Sequence, residues 1–256
     1  MRLVYGFDEL DCSKKTVVTI GSFDGVHLGH REILKTIVKK AKQDNLLSVV
    51  MTFSPHPRAV LDADNKGVKL LNTLSEKALL LEELGVDILL VVPFTREFSK
   101  LEYEQFLSEY LIKKVNLGCL VIGFNHHFGH NKTGSVNSIS SLSKKYNFEV
   151  LKMPKMMLDS VKVSSTYVRN LIESIKISEA EECLLRPYFF IAKIDENSRV
   201  LLQSHDKLMP PNGEYNVSVE QGSEVFKDTL IVKNYTYSLA QFKNVGSEDD
   251  FIIKFV

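Results

Sequence analysis

The sequence has no excess of charge of either sign, since 32 Lys and Arg residues balance 32 Asp and Glu residues. A chain without net charge has no global electrostatic attraction to nucleic acid or to an anionic membrane. Its longest apolar runs, such as Ile88 to Pro93, are strand-sized and far shorter than the roughly 20 residues of a membrane span. The first ten residues include acidic side chains where a signal peptide needs an apolar core. We therefore expect a cytoplasmic protein with small-molecule ligands and with no nucleic-acid or membrane partner.

Cysteine is scarce and is not spaced for chemistry. Cys12, Cys119 and Cys183 are an odd number, lie far apart and form no C-x-x-C pair, so we predict buried free thiols. The chain also lacks HExxH and any Ser–His–acid or Cys–His–acid spacing. The pattern therefore favours neither a zinc peptidase nor a covalent nucleophile, and it specifies no oligomeric state.

Two patterns of secondary structure divide the chain. Up to residue 186, short β-branched runs alternate about five times with helical periodicity, as in Thr16 to Ile20 followed by Arg31 to Gln43. The second of these segments has Ile33, Leu34, Ile37, Val38 and Ala41 on one apolar face. Thr73 to Glu76 is a capping box that opens a further helix, and Tyr103 to Lys114 is predicted to be helical. This alternation predicts an α/β fold with an open parallel sheet and helices on both faces, whose ligands bind beyond the carboxyl ends of the strands. From residue 187 the chain has short β runs and turn-rich stretches, which predict a small barrel-like domain. We predict domains at 1–186 and 187–256.

The connection after the first of these strands carries the strongest chemical signal. Gly21 to His30 reads GSFDGVHLGH and leads into a helix, so glycines and a helix N-terminus offer backbone N–H groups to an anion. Two imidazoles three residues apart in a first helical turn point the same way. The site offers hydrogen-bond donors and positive charge, which suits direct displacement at phosphorus. The candidate phosphate-binding residues here, which the resemblance described below assigns to ATP, are Gly21, Phe23, Asp24, Gly25, His27 and His30.

A second segment places consecutive hydroxyl groups at a predicted helix start. These are Ser164, Ser165 and Thr166, and Arg169 follows one turn later. Hydroxyls at this position either cap the helix or hold a phosphate, and the residues alone leave both interpretations open.

A third segment, Gly123 to Gly134, follows a predicted strand. Lys132 and Thr133 resemble the end of a phosphate-loop motif. That motif needs glycine directly before the lysine, and Asn131 occupies this position, so a phosphate loop is excluded. The histidines of this segment do not supply a zinc ligand set, so a polar substrate-binding loop is left. The candidate residues are Asn125, His126, Phe128 and Lys132.

A fourth segment, Thr52 to Pro57, places His56 between two prolines at the end of a strand. Proline on both sides fixes an extended turn, so turn rigidity and ligand contact are equally good explanations.

With these four segments in order, residues 1–186 resemble the bacterial bifunctional riboflavin kinase/FAD synthetase family. The shared motifs are the FDGVHxGH run, the TF-x-PHP strand end, the G-x-N-x-x-FG loop and the SSTxxR helix start. The resemblance implies a Rossmann-like nucleotidylyltransferase of the HxGH type. Its reaction is FMN plus ATP giving FAD and pyrophosphate, with Mg²⁺, and no metal ligands are specified.

The resemblance also implies roles for the candidate residues. His27 and His30 would hold ATP phosphates and stabilise charge at the α-phosphorus, and Arg169 would act with them. Ser164, Ser165 and Thr166 would bind the leaving pyrophosphate together with Arg169. The flavin would lie near His56, Asn125, His126, Phe128 and Lys132. Lys132 stands where the family usually has Arg, so the positive charge is kept but the paired hydrogen bonds of a guanidinium group are lost.

The C-terminal part departs further from the family. Leu185 replaces the glycine of the LGRPY entry, residues 194–207 contain no glycine and no PTAN sequence, and the chain ends before the family's usual terminus. We therefore expect no riboflavin kinase activity. Two other functions stay open: a nucleotidylyltransferase for another phosphorylated acceptor, and a non-catalytic paralogue that binds nucleotide or flavin.

Overall fold

A computed structural model describes residues 1–61, 68–123, 136–154, 157–158, 161–242 and 249–256. Six strands of the N-terminal part form one sheet in which every neighbouring pair is parallel. They are β1 (Arg2–Tyr5), β2 (Thr16–Ile20), β3 (Leu47–Ser54), β4 (Ile88–Pro93), β5 (Leu117–Ile122) and β6 (Glu149–Lys152). All five residues of β2 are buried, as expected for a central strand covered on both faces.

The strand order of this sheet, β1-β4-β3-β2-β5-β6, reverses direction at β2. From β2 the chain proceeds to β3 on one side, and the later strands β5 and β6 lie on the other side. The carboxyl end of β2 is therefore at the switch point of the sheet, where ligands bind in open α/β folds. The Gly21 to His30 connection starts there.

The helices largely follow the predicted periodicity. Helix α1 (Leu28–Asp44) buries the predicted apolar face, and α3 (Leu74–Glu83) begins at the predicted capping box. The remaining helices of the parallel-sheet region are α2 (Pro57–Leu61), α4 (Tyr103–Gln105) and α5 (Val136–Tyr146), with a 3₁₀ turn at Phe98–Lys100 and a π-helix at Phe106–Ile112. The segment predicted as one regular helix from residue 103 to 114 is thus mostly π-helical.

A second sheet is antiparallel and barrel-like, as predicted. Its strand order is β10-β9-β14-β11-β12-β13, and an isolated bridge between Arg199 and Ser238 joins the two edges. Its strands are β9 (Phe189–Ile194), β10 (Val200–Leu202), β11 (Gly213–Gln221), β12 (Glu224–Lys233), β13 (Thr236–Leu239) and β14 (Phe251–Phe255). Before it come a two-stranded sheet of β7 (Met157–Leu158) and β8 (Val161–Lys162) and the helices α6 (Ser165–Glu173) and α7 (Ile177–Leu184).

The chain divides into two compact units. The first unit consists of Met1–Phe23, Gly29–Val68 and Ala78–Met157, and the second of Asp24–Leu28, Lys69–Lys77 and Leu158–Val256. Each unit has its own cluster of buried apolar side chains. The second unit includes α6 and α7, which the sequence analysis assigned to the N-terminal domain, and the boundary at residue 186 stays a prediction.

Two further observations concern the described residues as a whole. None of the helices described is long and apolar enough to cross a membrane. Cys119 and Cys183 are buried free thiols as predicted, whereas Cys12 is a free thiol that is only half-buried.

Candidate active site

The connection from β2 to α1 has a strained backbone. Phe23, Gly25 and Val26 adopt positive φ values of 46°, 88° and 43°. Glycine is required at residue 25, because an added Cβ would lie 2.6 Å from the Leu71 Cδ1 atom. The left-handed region is costly for a β-branched residue such as Val26, so the surrounding structure must hold it there. Strain of this kind clusters at functional sites, and here it lies at the switch point of the sheet.

The two histidines of this connection have different surroundings. His27 precedes α1 and is 6% exposed, and burial lowers its pKa from 6.5 to about 4, although Asp24 acts in the opposite direction. His30 lies in the first turn of α1 and is half-buried. Its ring meets the edge of the Phe23 ring with 5.1 Å between centroids, which orients the imidazole. Near neutral pH the His27 imidazole is therefore uncharged.

Asp24 links this connection to helix α6 within the second unit. Its carboxylate is 2% exposed, accepts a hydrogen bond from the Asn72 N–H at 3.1 Å and forms an ion pair of 2.5 Å with Arg169. The Ser165 hydroxyl donates to the Asp24 carbonyl at 2.8 Å. The structure thus brings together three residues that the sequence analysis predicted on two distant segments.

The other residues of the hydroxyl-rich segment have distinct positions. Ser164 is the N-cap of α6, and its hydroxyl accepts a hydrogen bond from the Tyr167 N–H at 3.2 Å. Thr166 is exposed. The Arg169 Nε donates to the Lys69 carbonyl at 2.8 Å. Of the two interpretations left open by the sequence, Ser164 therefore fulfils the capping one.

Three residues near Asp24 were not predicted. Arg186 donates to the Gly25 carbonyl at 3.0 Å and to the Asn72 Oδ1 at 3.3 Å. Lys77 is buried, and burial lowers its pKa to about 8 while Asp24 opposes this shift. No local pattern marks Arg186 or Asn72, because each acts through contacts with residues distant in sequence. The capping box at Thr73 and Glu76 was the one available signal, and it is confirmed by reciprocal hydrogen bonds of 3.2 and 3.0 Å.

An aromatic cluster lies in the first unit where β3 and β4 end. The Phe53 ring lies 5.3 Å from that of Phe94 and 5.9 Å from that of Phe98, and all three side chains are half-buried. His56 follows β3 directly, is half-buried, and its Nδ1 accepts a hydrogen bond from the Arg58 N–H at 3.2 Å. Half-buried rings beside a polar side chain suit a planar aromatic ligand.

The predicted substrate loop after β5 lies largely outside the described residues. Gly123, at its start, is described, and an added Cβ there would lie 3.4 Å from the Ile33 Cδ1 atom. The predicted residues Asn125, His126, Phe128 and Lys132 lie outside the described residues. Within the part of the chain that the structure describes, no group of three or more His, Cys, Asp or Glu side chains could hold a metal ion.

The connection from β9 to β10 is a short hairpin. The Asp195 N–H donates to the Arg199 carbonyl at 2.9 Å, and the Asp195 carboxylate accepts from the Asn197 and Arg199 N–H groups at 2.9 and 2.8 Å. The side chain of Asp195 thus closes the turn itself. This hairpin leaves no room in the connection for a glycine-rich phosphate loop.

Within the second unit, Asp24 joins the connection that carries the His-x-Gly-His motif to a hydroxyl-rich helix start. The family model described as FAD synthetase matches residues 9–167. The chain belongs to the FAD synthetase family. The predicted family and enzyme class are therefore confirmed.

Individual relatives extend this match. A bifunctional riboflavin kinase/FMN adenylyltransferase of Listeria monocytogenes is 34% identical over 81% of this chain and 69% of its own length. One of Buchnera aphidicola (from Schizaphis graminum) is 31% identical over 78% of this chain, which spans 64% of that relative. A Listeria monocytogenes protein named FAD synthetase is 32% identical over 79% of this chain and 81% of its own length.

One solved structure is similar over the whole chain. It is a crystal structure of a protein from Streptococcus pneumoniae described as a macrolide-efflux protein. The TM-score is 0.85 and the identity 25%, and the match covers 100% of this chain and 98% of that one. The combination of a parallel sheet with a barrel-like sheet therefore has a counterpart of the same extent.

Proposed function

We propose that this chain transfers AMP from ATP to FMN, forming FAD and releasing pyrophosphate. The observation that carries the proposal is the contact of Asp24 with Ser165 and Arg169, because it joins the two predicted phosphate-binding segments. Membership of the FAD synthetase family supports the same reaction.

The chemistry needs no covalent enzyme intermediate. An oxygen of the FMN phosphate attacks the α-phosphorus of ATP, and the bond from that phosphorus to the oxygen bridging the α- and β-phosphates breaks. His27 and His30 donate hydrogen bonds to the phosphate oxygens on which charge builds up. A neutral His27 donates through a single ring N–H. Arg169 uses Nε and one terminal nitrogen within the protein, which leaves its remaining N–H groups for the leaving pyrophosphate.

Magnesium is proposed to enter with ATP. Mg²⁺ is usually held by one or two carboxylates, substrate phosphates and water rather than by a cage of protein ligands. The described residues contain no such cage, and the Asp24 carboxylate is engaged by Arg169. Bound in this way, the ion would neutralise charge on the phosphate groups.

The flavin is proposed to bind beside the aromatic cluster of Phe53, Phe94 and Phe98. Stacked and edge-on ring contacts favour a planar isoalloxazine. His56 and the predicted loop residues Asn125, His126, Phe128 and Lys132 would contact its ring or its phosphate.

The barrel-like sheet is proposed to have no riboflavin kinase activity. The hairpin closed by Asp195 stands where the family's phosphate loop and PTAN sequence are expected. A relative that carries only the name FAD synthetase supports an activity without the kinase.

One assay separates this proposal from the two functions left open by the sequence. The protein is incubated with ATP, Mg²⁺ and FMN, and FAD and pyrophosphate are followed by chromatography and a coupled assay. Equimolar FAD and pyrophosphate support the proposal. Pyrophosphate release only with another phosphorylated acceptor, or nucleotide binding without turnover, would overturn it. In a parallel reaction with riboflavin, ATP and Mg²⁺, we expect no FMN.

A further inference from the structure

A buried ion pair lies where the barrel-like sheet meets residues 69–77, inside the second unit. Lys207, between β10 and β11, is 3% exposed, and its ammonium group lies 2.8 Å from the Glu76 carboxylate. It also donates to the carbonyl groups of Leu71 and Phe189, both at 2.7 Å, so its three N–H groups have partners. The other oxygen of Glu76 accepts from the Ile191 N–H at 3.0 Å. Residues of the barrel thus fix the Glu76 carboxylate from two directions.

Hydrogen bonds connect the Glu76 carboxylate to Asp24 through Asn72. Glu76 accepts a hydrogen bond from the Asn72 Nδ2 at 3.3 Å, and the Asn72 backbone N–H donates to the Asp24 carboxylate at 3.1 Å. The Asn72 Oδ1 accepts from Arg186, which also donates to the Gly25 carbonyl. Asn72 is 2% exposed, and these hydrogen bonds engage both the nitrogen and the oxygen of its side-chain amide. The chain of contacts runs from the barrel to the strained β2–α1 connection.

We propose that Lys207 and Glu76 are positioning residues for adenylyl transfer, acting through Asn72 on Asp24 and Arg169. This inference rests on the proposed function. It gives the barrel-like sheet a part in ATP binding that does not depend on kinase chemistry. Neither residue touches ATP in this scheme.

Energetics favour positioning over stability as the reason for this pair. Removing two charges from water is costly, and replacing a buried ion pair with apolar residues of similar volume is often neutral or stabilising. A merely supporting contact between the barrel and residues 69–77 would therefore be served by apolar side chains. A network in which each polar group has a partner instead fixes one geometry.

The test compares two paired substitutions in the full chain. Glu76→Gln with Lys207→Met removes both buried charges together, so that no unpaired charge remains. Glu220→Gln with Lys254→Met is the matched control, because this ion pair of 2.6 Å also involves the barrel-like sheet but is partly exposed and joins only two of its strands. Asn72→Ser is a second test variant that leaves the Lys207–Glu76 pair in place. Folding is checked by circular dichroism and a melting curve.

We expect the buried-pair variant and Asn72→Ser to lose about tenfold or more in kcat/KM for ATP. The KM for FMN should change by less than about threefold, since a binding site that stays intact keeps its affinity. A purely structural role would lower the melting temperature without separating the ATP and FMN parameters. Wild-type kcat/KM for ATP in a folded buried-pair variant or in Asn72→Ser would overturn the proposal.

The wild-type assay distinguishes a failure of the proposed function from a failure of the positioning proposal. If the wild-type protein forms no FAD, ATP binding is measured by calorimetry on the same variants. An ATP Kd about tenfold weaker in the buried-pair variant than in the control pair still supports positioning, and equal values overturn it.

Discussion

At the scale of single residues, the burial of His27 gives the protein a distinctive pH dependence. The pKa of His27 falls from 6.5 to about 4 on folding, so the unfolded chain binds the proton more tightly between these values. The stability that this group contributes is complete above pH 6.5 and is lost as pH falls toward 4. One pKa unit corresponds to about 1.4 kcal/mol, so the full loss is about 3.5 kcal/mol.

We predict that urea unfolding will show this loss as a steep fall in the free energy of unfolding between pH 7 and pH 5. His27→Gln removes the titrating group. The free energy of unfolding of this variant should therefore fall by about 2 kcal/mol less between pH 7 and pH 5 than that of the wild type. His205→Gln, which changes an exposed histidine, is the matched control. Parallel slopes for wild type and His27→Gln would contradict the burial of a neutral imidazole.

His30 is better placed than His27 to meet a ligand, because it is half-buried and its ring is oriented by Phe23. We predict that His30→Ala folds normally and loses at least about tenfold in kcat for FAD formation, since removing one such donor typically costs about 3–4 kcal/mol of barrier. Steady-state assays and circular dichroism measure both properties. His205→Ala serves as the control, and an unchanged kcat in His30→Ala would remove the histidine from the mechanism.

At the scale of elements, the start of α6 depends on a single hydroxyl. The Ser164 side chain caps the helix by accepting from the Tyr167 N–H. We predict that Ser164→Ala lowers the free energy of unfolding by about 1 kcal/mol, whereas Ser164→Asn, another good cap, keeps it within about 0.5 kcal/mol. Urea denaturation decides the question. If the alanine and asparagine variants are equally stable, the hydroxyl does not cap the helix.

Helix α7 ends at a residue whose side chain disfavours its backbone conformation. Leu185 is the C-cap with φ 56° and ψ 34°, a left-handed conformation that suits glycine, and its side chain is 48% exposed. Because this conformation costs a side-chain-bearing residue about 1–2 kcal/mol, Leu185→Gly should raise the free energy of unfolding by about 0.5–1 kcal/mol. Leu185→Ala keeps the Cβ and should bring no gain. A less stable glycine variant in thermal unfolding would show that the leucine side chain outweighs the strain.

The elements also show which parts of the fold a sequence specifies locally. Strand β2 was predicted to the residue, and helix α1 to within three residues at its start and one at its end, because a β-branched run and a 3.6-residue apolar period are local signals. Strand β1 was missed because three of its four residues are exposed and it pairs only with β4, far along the chain. Strands β10 and β13 were also missed, because three and four residues are too few to show a clear two-residue alternation. The π-helix at Phe106–Ile112 keeps an apolar pattern that reads as an ordinary helix.

In the candidate site, too, the sequence predicts the contiguous motifs but not the residues that contact them from distant parts of the chain. The Gly21 to His30 connection and the SSTxxR helix start are contiguous motifs, so the sequence presents them whole. The partners that hold Asp24 are not contiguous with it: Asn72 lies 48 residues away and Arg169 lies 145 away. Asparagine before a capping box has no distinguishing pattern, and Lys207 sits in a turn-rich stretch. Their roles follow only from long-range hydrogen bonds.

At the scale of the whole molecule, the predicted boundary at residue 186 cuts through one hydrophobic core. The buried residues of α6 and α7 belong to the same cluster as the barrel strands: Val168, Leu171, Ile172, Ala180, Cys183 and Leu184. Tyr188, fully buried just after the boundary, donates its hydroxyl to the Leu208 carbonyl at 2.6 Å. The helix that carries Arg169 therefore depends on residues beyond 186 for its burial.

We predict that a fragment of residues 1–186 does not retain the activity of the full chain. Exposing each of the larger buried side chains of α6 and α7 costs about 1.5–3 kcal/mol, which exceeds what a helix as short as α6 can offset alone. Helix α6 should then show little protection in hydrogen exchange, and FAD formation should fall by about a hundredfold or more as Arg169 loses its position. The full chain, purified in the same way, is the reference. A soluble fragment with wild-type turnover and a protected α6 would instead establish residue 186 as the end of an independent catalytic domain, and the barrel would then have no part in ATP binding.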